Sequence, residues 1–184
     1  IYVGYRYFET FCPEKVMYEF GFGLSYSKFD IEILKAETVT EESKVGGAWG
    51  SHGVSIDNGT CAGKEVQITI CVKNTGDCRG KEVVQVYVQA PQGKLGKPAR
   101  ELKAFAKTKE LAPGEKQKMT LHIPVKNLAS YDDSGVAGHK SCYVSEAGAY
   151  VFHVGNSVRN TKIADVDGKG AYIAVSYTHL RAHE

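Results

Sequence analysis

An all-β sandwich of about seven antiparallel strands is the fold class this sequence predicts. Three observations point there. Short runs of alternating apolar and polar residues recur along most of the chain, turn residues separate them at regular spacing, and no helical period of useful length interrupts them. The clearest runs lie in the stretch from Lys64 to Ala90, KEVQITICVKNTGDCRGKEVVQVYVQA, around which the rest is organised. Val66, Ile68, Ile70 and Val72 alternate with Gln67, Thr69, Cys71 and Lys73, and Val84, Val86 and Val88 alternate with Gln85, Tyr87 and Gln89. The segment from Asn74 to Gly80 is rich in residues that cap turns or accept left-handed angles, so the two runs are expected to lie side by side as paired strands. Each strand then has one apolar face and one wet face. A two-stranded ribbon cannot bury its apolar face alone, so an opposing sheet is required.

The bulk properties agree with one ordinary domain plus part of a second. At 184 residues and 20.1 kDa the chain is long enough to bury a sizeable core. Lys and Arg number 23 against 21 Asp and Glu, a formal charge of +2, which argues against a nucleic-acid partner. No apolar run approaches the roughly 20 residues of a membrane helix, and the aromatic opening lacks the order of a secretory signal, so no membrane partner is expected. Five cysteines, Cys12, Cys61, Cys71, Cys78 and Cys142, are odd in number and lack metal-ligand spacing. They read as free thiols, mostly small core residues, although an oxidising compartment would allow a pair such as Cys61 with Cys78. No metal site and no cofactor are expected.

The elements follow in order. Residues 1–26, IYVGYRYFETFCPEKVMYEFGFGLSY, open strand-like and place eight Tyr and Phe rings before Gly23. So many rings, in a chain that starts in mid-pattern at Ile1, are expected to pack on a surface the rest of this sequence does not supply. Phe29, Ile31 and Ile33 mark a first strand from about Lys28 to Glu37. Residues 39–63 break the pattern with acidic and glycine-rich pieces around Trp49, the sole tryptophan, and read as a long surface excursion. Trp49 either pins that excursion to its own domain or serves a functional surface loop, and it is the one candidate substrate-binding residue.

After the central pair, Pro91 to Pro98 are expected to form a solvated, Pro- and Gly-containing basic loop with Lys94 and Lys97. Leu102 and Phe105 begin another strand, Pro113-Gly114 has the order of a type II turn, and Met119, Leu121 and Ile123 form the next strand, ended by Pro124. Val125 to Asp133 read as a corner crossing between sheets, with Tyr131 an anchor and the carboxylates of Asp132 and Asp133 bonding local backbone. A short run at Ser141 to Val144 precedes the alternating Tyr150, Phe152 and Val154. Seven strands over about 130 residues fit a sandwich of the immunoglobulin or fibronectin III type. Residues 160–175 add an edge hairpin about Asp167-Gly168. The last nine residues, SYTHLRAHE, follow no earlier pattern and resemble a translated adaptor, which makes His179 and His183 poor ligand candidates.

The order of pieces also carries a resemblance. GYRYFE at 4–9, EFGFGLSYSKF at 19–29, VKNTG at 72–76, VVQVYVQAP at 83–91, RELKAFAK at 100–107, LAPGE at 111–115 and GAYVFHVGNS at 148–157 together resemble the C-terminal part of glycoside hydrolase family 3 enzymes, chiefly β-glucosidases. The resemblance implies residues 1–24 as the end of a preceding α/β domain, 25–158 as a fibronectin type III-like domain, 159–175 as an edge extension and 176–184 as a non-native tail. It further implies barrel and α/β domains upstream as partners and a β-glucoside or oligosaccharide as substrate of the intact enzyme. Retaining glycosidases work with two carboxylates about 5 to 5.5 Å apart. The family's nucleophilic Asp lies in the barrel and its acid/base Glu upstream of Ile1, so no catalytic residue is carried onto this sequence. The competing expectation is an autonomous carbohydrate-binding or adhesion module sharing the sandwich.

Overall fold

A computed structural model describes residues 1–40, 63–138, 140–175 and 178–181, with no side-chain placement for 178–181. Trp49, Cys61 and the rest of 41–62 lie outside the described residues. The chain opens with helix α1 (Tyr5–Phe11) and continues through β1 (Phe29–Thr40), β2 (Lys64–Asn74), β3 (Val83–Gln89), β4 (Glu101–Lys107) and β5 (Lys116–Pro124). Beyond a 3-10 turn at Val125–Leu128 come β6 (Ser130–Asp132), β7 (Cys142–Ser145), β8 (Gly148–Gly155), β9 (Thr161–Ala164), β10 (Tyr172–Ala174) and β11 (Thr178–Arg181).

Two antiparallel sheets form the sandwich. One runs β1-β2-β5; the other runs β10-β8-β3-β4, with β9 alongside β8. A small third sheet, β11-β7-β6, stands beside them. Alternation decides which side chains meet between the two main layers. Val66, Ile68, Ile70 and Val72 of β2 and Leu121 and Ile123 of β5 face Val84 and Val86 of β3 and Tyr150, Phe152 and Val154 of β8, all of them buried. Each such side chain contributes on the order of 1.5 to 3 kcal/mol when withdrawn from water, so this seam is the main stabilising element. Ile70 is fully buried while Cys71, next in sequence, is half-exposed on the outer face, as the period of two requires.

Several expectations are corrected. β2 and β3 are not hydrogen-bonded partners: β2 pairs with β1 and β5, whereas β3 pairs with β4 and β8. The segment between them crosses from one sheet to the other because Asn74, fully buried, holds its turn shut. Its amide nitrogen donates to the carbonyls of Cys78 (2.8 Å) and Leu111 (2.9 Å), and its Oδ1 accepts from Ser27 Oγ (2.6 Å) and Gly76 N (3.0 Å). The strand-like opening is a seven-residue helix, and four short strands, β6, β9, β10 and β11, join the seven expected. Residues 160–175 do not make a hairpin. β9 and β10 lie end to end along one edge of β8, and the loop joining them reaches β1, where Asp167 Oδ1 accepts from Thr38 N at 2.9 Å. Of the cysteines in the described residues only Cys142 is buried; Cys12 and Cys71 are half-buried and Cys78 is exposed.

Other features match their sequence signals. Gly114 adopts φ 79° as the third residue of a turn closed by Glu115 N to Ala112 O at 2.9 Å, the geometry of a type II turn after Pro113. Asp132 is buried and accepts from the backbone N–H groups of Ser134, Gly135, Val136 and Ala137, which together hold its carboxyl below the ordinary range against the opposing effect of desolvation.

Candidate domain-docking surface

The two outer faces of the sandwich differ in kind. On the three-stranded sheet the outward row is mainly polar, with Asp30, Glu32, Gln67, Thr69, Lys73, Lys116, Lys118, Thr120 and His122 beside Cys71 and Val39, as expected of a largely solvated face. On the five-stranded sheet the positions out of phase with the core include Tyr87, Leu102, Phe105, Val151, Ile163 and Ile173. Phe105 and Ile163 are each more than half exposed. A contiguous patch of such side chains on one face of a sheet marks a contact surface.

Part of that face is covered by the N-terminal segment. Tyr5 enters from the first turn of α1, stacks on Phe20 (centroids 4.5 Å apart, 21° between planes) and meets Tyr87 edge-on at 6.1 Å. Tyr87 is thereby sealed from solvent, its hydroxyl donating to Gln85 Oε1, while Gln85 Nε2 donates to Asn156 O at 2.8 Å. Burial lifts the Tyr5 hydroxyl above the ordinary phenol range, and burial reinforced by Tyr5 lifts that of Tyr87 further. Both stay neutral hydrogen-bonding groups.

Polar contacts stitch the segment around this ring stack. Leu102 N donates to Tyr5 Oη (2.8 Å), Ala99 N donates to Thr10 Oγ1 (2.9 Å), and Arg6 pairs with Glu101 at 3.5 Å. Arg159 donates from Nε to both carboxylate oxygens of Glu9 at 3.1 Å and from Nη2 to Pro13 O at 2.7 Å. Ser157 Oγ donates to Glu19 Oε1 at 3.0 Å, and Val158 N donates to Phe20 O at 2.9 Å. Gly21 fits against Ser157, where its φ of 88° and the close approach of backbone leave no room for a Cβ.

The segment also turns apolar side chains outward. Val3, Met17, Tyr18, Leu24 and Tyr26 are each at least 65% exposed, and Phe8, Phe20 and Phe22 lie 40–47% exposed. Between them, Tyr5, Phe8, Val16, Tyr18 and Phe20, with Glu9 and Lys15 at the rim, line an open hollow of about 380 Å³. A second feature of the covered sheet is His153, buried on the outer face with Nε2 3.4 Å from Gln89 Oε1. Desolvation, helped by the Arg100 charge, lowers its pKa from 6.5 to about 4, so the ring is neutral near pH 7.

Among the described residues no group of three or more His, Cys, Asp or Glu side chains is placed to hold a metal ion. Trp49, the one candidate substrate-binding residue, lies outside the described residues, as does its excursion. What sequence reading did not single out is Tyr87. It sits between Gln85 and Gln89 on a strand face taken as wet, and the available signal was a large ring among glutamines.

Comparison with known proteins agrees with this geometry. Residues 82–158 match the family described as the fibronectin type III-like domain, which defines the class of the sandwich. The chain is 45% identical over 162 residues to a β-glucosidase of Ruminococcus albus, covering 88% of this chain but 15% of that protein. It superimposes on the crystal structure of a β-glucosidase from Paenibacillus barengoltzii with a TM-score of 0.81 at 50% identity, over 100% of this chain and 18% of that one. A GH3 β-glucosidase structure from Bifidobacterium adolescentis gives a TM-score of 0.63 at 31% identity over 91% and 21%. Over most of its length the chain is thus similar to a part of β-glucosidases, a GH3 enzyme among them, and it carries a fibronectin type III-like domain. It spans about a fifth or less of the length of these relatives.

Proposed function

We propose that the intact protein is a β-glucosidase-like glycoside hydrolase acting on β-glucosides or oligosaccharides, and that this chain buttresses catalytic domains encoded elsewhere in it. The observation that carries the reading is the difference between the two outer faces. One sheet turns charged and hydroxyl side chains to water; the other, together with the aromatic N-terminal segment, turns rings and branched aliphatics outward. Such a surface gains about 25 cal/mol for each Å² it removes from water, so some 500 Å² of further cover is worth on the order of 12 kcal/mol before ordering costs. Within this reading residues 1–24 close the preceding α/β domain, 25–158 form the buttress, 159–175 complete its edge and 176–184 are a non-native tail. The names of the relatives support the substrate class, and on this reading both catalytic carboxylates belong to domains outside this chain. Trp49 is proposed to meet a distal sugar of an oligosaccharide, on the strength of its glycine-rich setting alone.

The test is turnover of a nitrophenyl β-glucoside by the full-length protein and by the 184-residue chain alone. The full-length protein releases nitrophenol and the chain alone does not. Turnover by the chain alone, abolished by substituting one of its own carboxylates, overturns the reading. Sugar binding by the chain alone without any hydrolysis by the full-length protein favours an autonomous carbohydrate-binding module instead.

A further inference from the structure

One ion pair among the described residues is buried on both sides. Lys97 and Glu146 retain 2% and 1% of their side-chain exposure, whereas every other described pair keeps at least one partner 31% exposed or more. The two residues come from different places. Lys97 lies in the loop between β3 and β4, and Glu146 lies in the turn between β7 and β8.

Each charge is also tied to backbone. Lys97 Nζ contacts Glu146 Oε2 and donates to Pro91 O at 2.8 Å; Glu146 Oε1 accepts from Lys94 N at 2.7 Å. Gln92 closes the same loop on itself, donating from Nε2 to Lys97 O at 3.1 Å and accepting from Lys97 N at 3.3 Å. A Cβ on Gly93 would fall on the Glu146 carboxylate, so the loop wraps this one side chain without space to spare. An ion pair taken out of water gives little net stability, because desolvation offsets most of its attraction, and its use lies in admitting only one arrangement of the groups around it.

The loop so held continues directly into the contacts that receive the N-terminal segment. Gly96 faces Tyr2 Oη, Ala99 binds Thr10, Glu101 pairs with Arg6, and Leu102 binds Tyr5. We infer that Lys97 and Glu146 are a positioning pair: they lock the β3–β4 loop in the shape that grips residues 2–11, and so, on the reading proposed above, couple the sandwich to the surface on which the rest of the protein docks. Their side chains bear on the grip and not on the core: both bond only each other and the backbone of the β3–β4 loop, and the one link from this turn to the packed seam, Tyr150 Oη donating to Glu146 O at 2.9 Å, goes through a backbone carbonyl that side-chain substitution leaves in place.

The inference predicts a local effect, which hydrogen exchange read by mass spectrometry on the full-length protein detects. In Glu146→Gln, amides of residues 94–102 and 5–11 exchange at least about tenfold faster, while those of 66–72 in β2 are unchanged. If that variant does not accumulate, Lys97→Met combined with Glu146→Leu is measured in its place, since it buries no unpaired charge but leaves Pro91 O and Lys94 N without their partners. The exchanged pair, Lys97→Glu with Glu146→Lys, restores opposite charges but sets a carboxylate against Pro91 O and an ammonium against Lys94 N–H, so protection is not recovered. Equal acceleration of 66–72 would make the pair a general stabiliser and overturn the inference. So would unchanged exchange at 5–11, or full recovery by the exchanged pair.

Discussion

Replacing Asn74 by alanine removes four hydrogen bonds at once from the crossing between the two sheets. Two of them reach groups with a second partner: Leu111 O still accepts from Gly80 N at 3.1 Å, and Gly76 N still donates to Lys28 O at 3.2 Å. Of the other two, the Cys78 carbonyl belongs to an exposed residue and turns to water, whereas Ser27 Oγ loses its acceptor in a buried position. A buried polar group left without a partner costs about 1 to 3 kcal/mol, and each bond to a group that keeps another partner costs about 0.5 kcal/mol. The sum is on the order of 3 kcal/mol, which for a chain of this size lowers Tm by roughly 6 to 12 °C. Urea and thermal unfolding followed by circular dichroism measure it. Asn74→Asp keeps the acceptor for Ser27 and Gly76 but turns a carboxylate toward two carbonyls, so its folded-state pKa rises. That variant should therefore be as unstable as the alanine one near pH 7 and recover stability as pH falls toward the carboxyl range, where the protonated acid can donate. A loss below about 0.5 kcal/mol in Asn74→Ala would show that the crossing does not depend on this amide.

Three further outcomes are expected. Ile70→Asp places an unpaired carboxylate in the seam and should cost several kcal/mol, abolishing soluble expression, whereas Cys71→Ser on the outer face should be nearly neutral; the reverse order would mean the strand register is wrong. His153 is neutral down to about pH 4 in the folded chain but protonates near 6.5 when unfolded, so the stability it contributes is present above pH 6.5 and lost as pH falls from there toward 4. The drop corresponds to at most about 3 kcal/mol, and His153→Gln should flatten the pH dependence of Tm over that window; an unchanged slope refutes the assignment. Trp49→Ala in the full-length protein should reduce turnover of an oligosaccharide more than that of a small aryl glucoside, and equal loss on both counts against a sugar contact.

Strand faces were legible in the sequence because alternation reports burial directly. Ile68 and Ile70, Leu121 and Ile123, Tyr150 and Phe152 all point where their pattern requires. Strand neighbours were not, since a period of two states which side is apolar and is silent about which strand lies alongside. β2 and β3 are consecutive and apolar on one side, yet they meet across the core through side chains instead of along an edge through hydrogen bonds. Tyrosine and phenylalanine favour strands, which gives the opening a strand-like look, but Tyr5, anchored on Tyr87 and Leu102, and the carbonyls of Gly4 and Phe8 hold it helical. The docking surface was legible as an excess of rings before Gly23. Its continuation over Tyr87, Phe105 and Ile163 was not, because each is a single apolar residue on a face otherwise read as wet. The Lys97–Glu146 pair was invisible for a different reason: two charges 49 positions apart, one in a loop read as basic and solvated, carry no local pattern.

The most direct measurement is reconstitution from two separate chains. The part of the protein upstream of Ile1 and the 184-residue chain are purified separately, and release of nitrophenol from an aryl β-glucoside is followed for each and for their mixture. Neither chain alone should turn over substrate at an appreciable rate. The mixture should gain activity, and Ile163→Lys with Ile173→Lys should block that gain while Thr69→Lys with Thr120→Lys on the opposite outer face leaves it intact. Full activity of the upstream chain by itself would contradict the buttress, and so would equal reconstitution by both double variants.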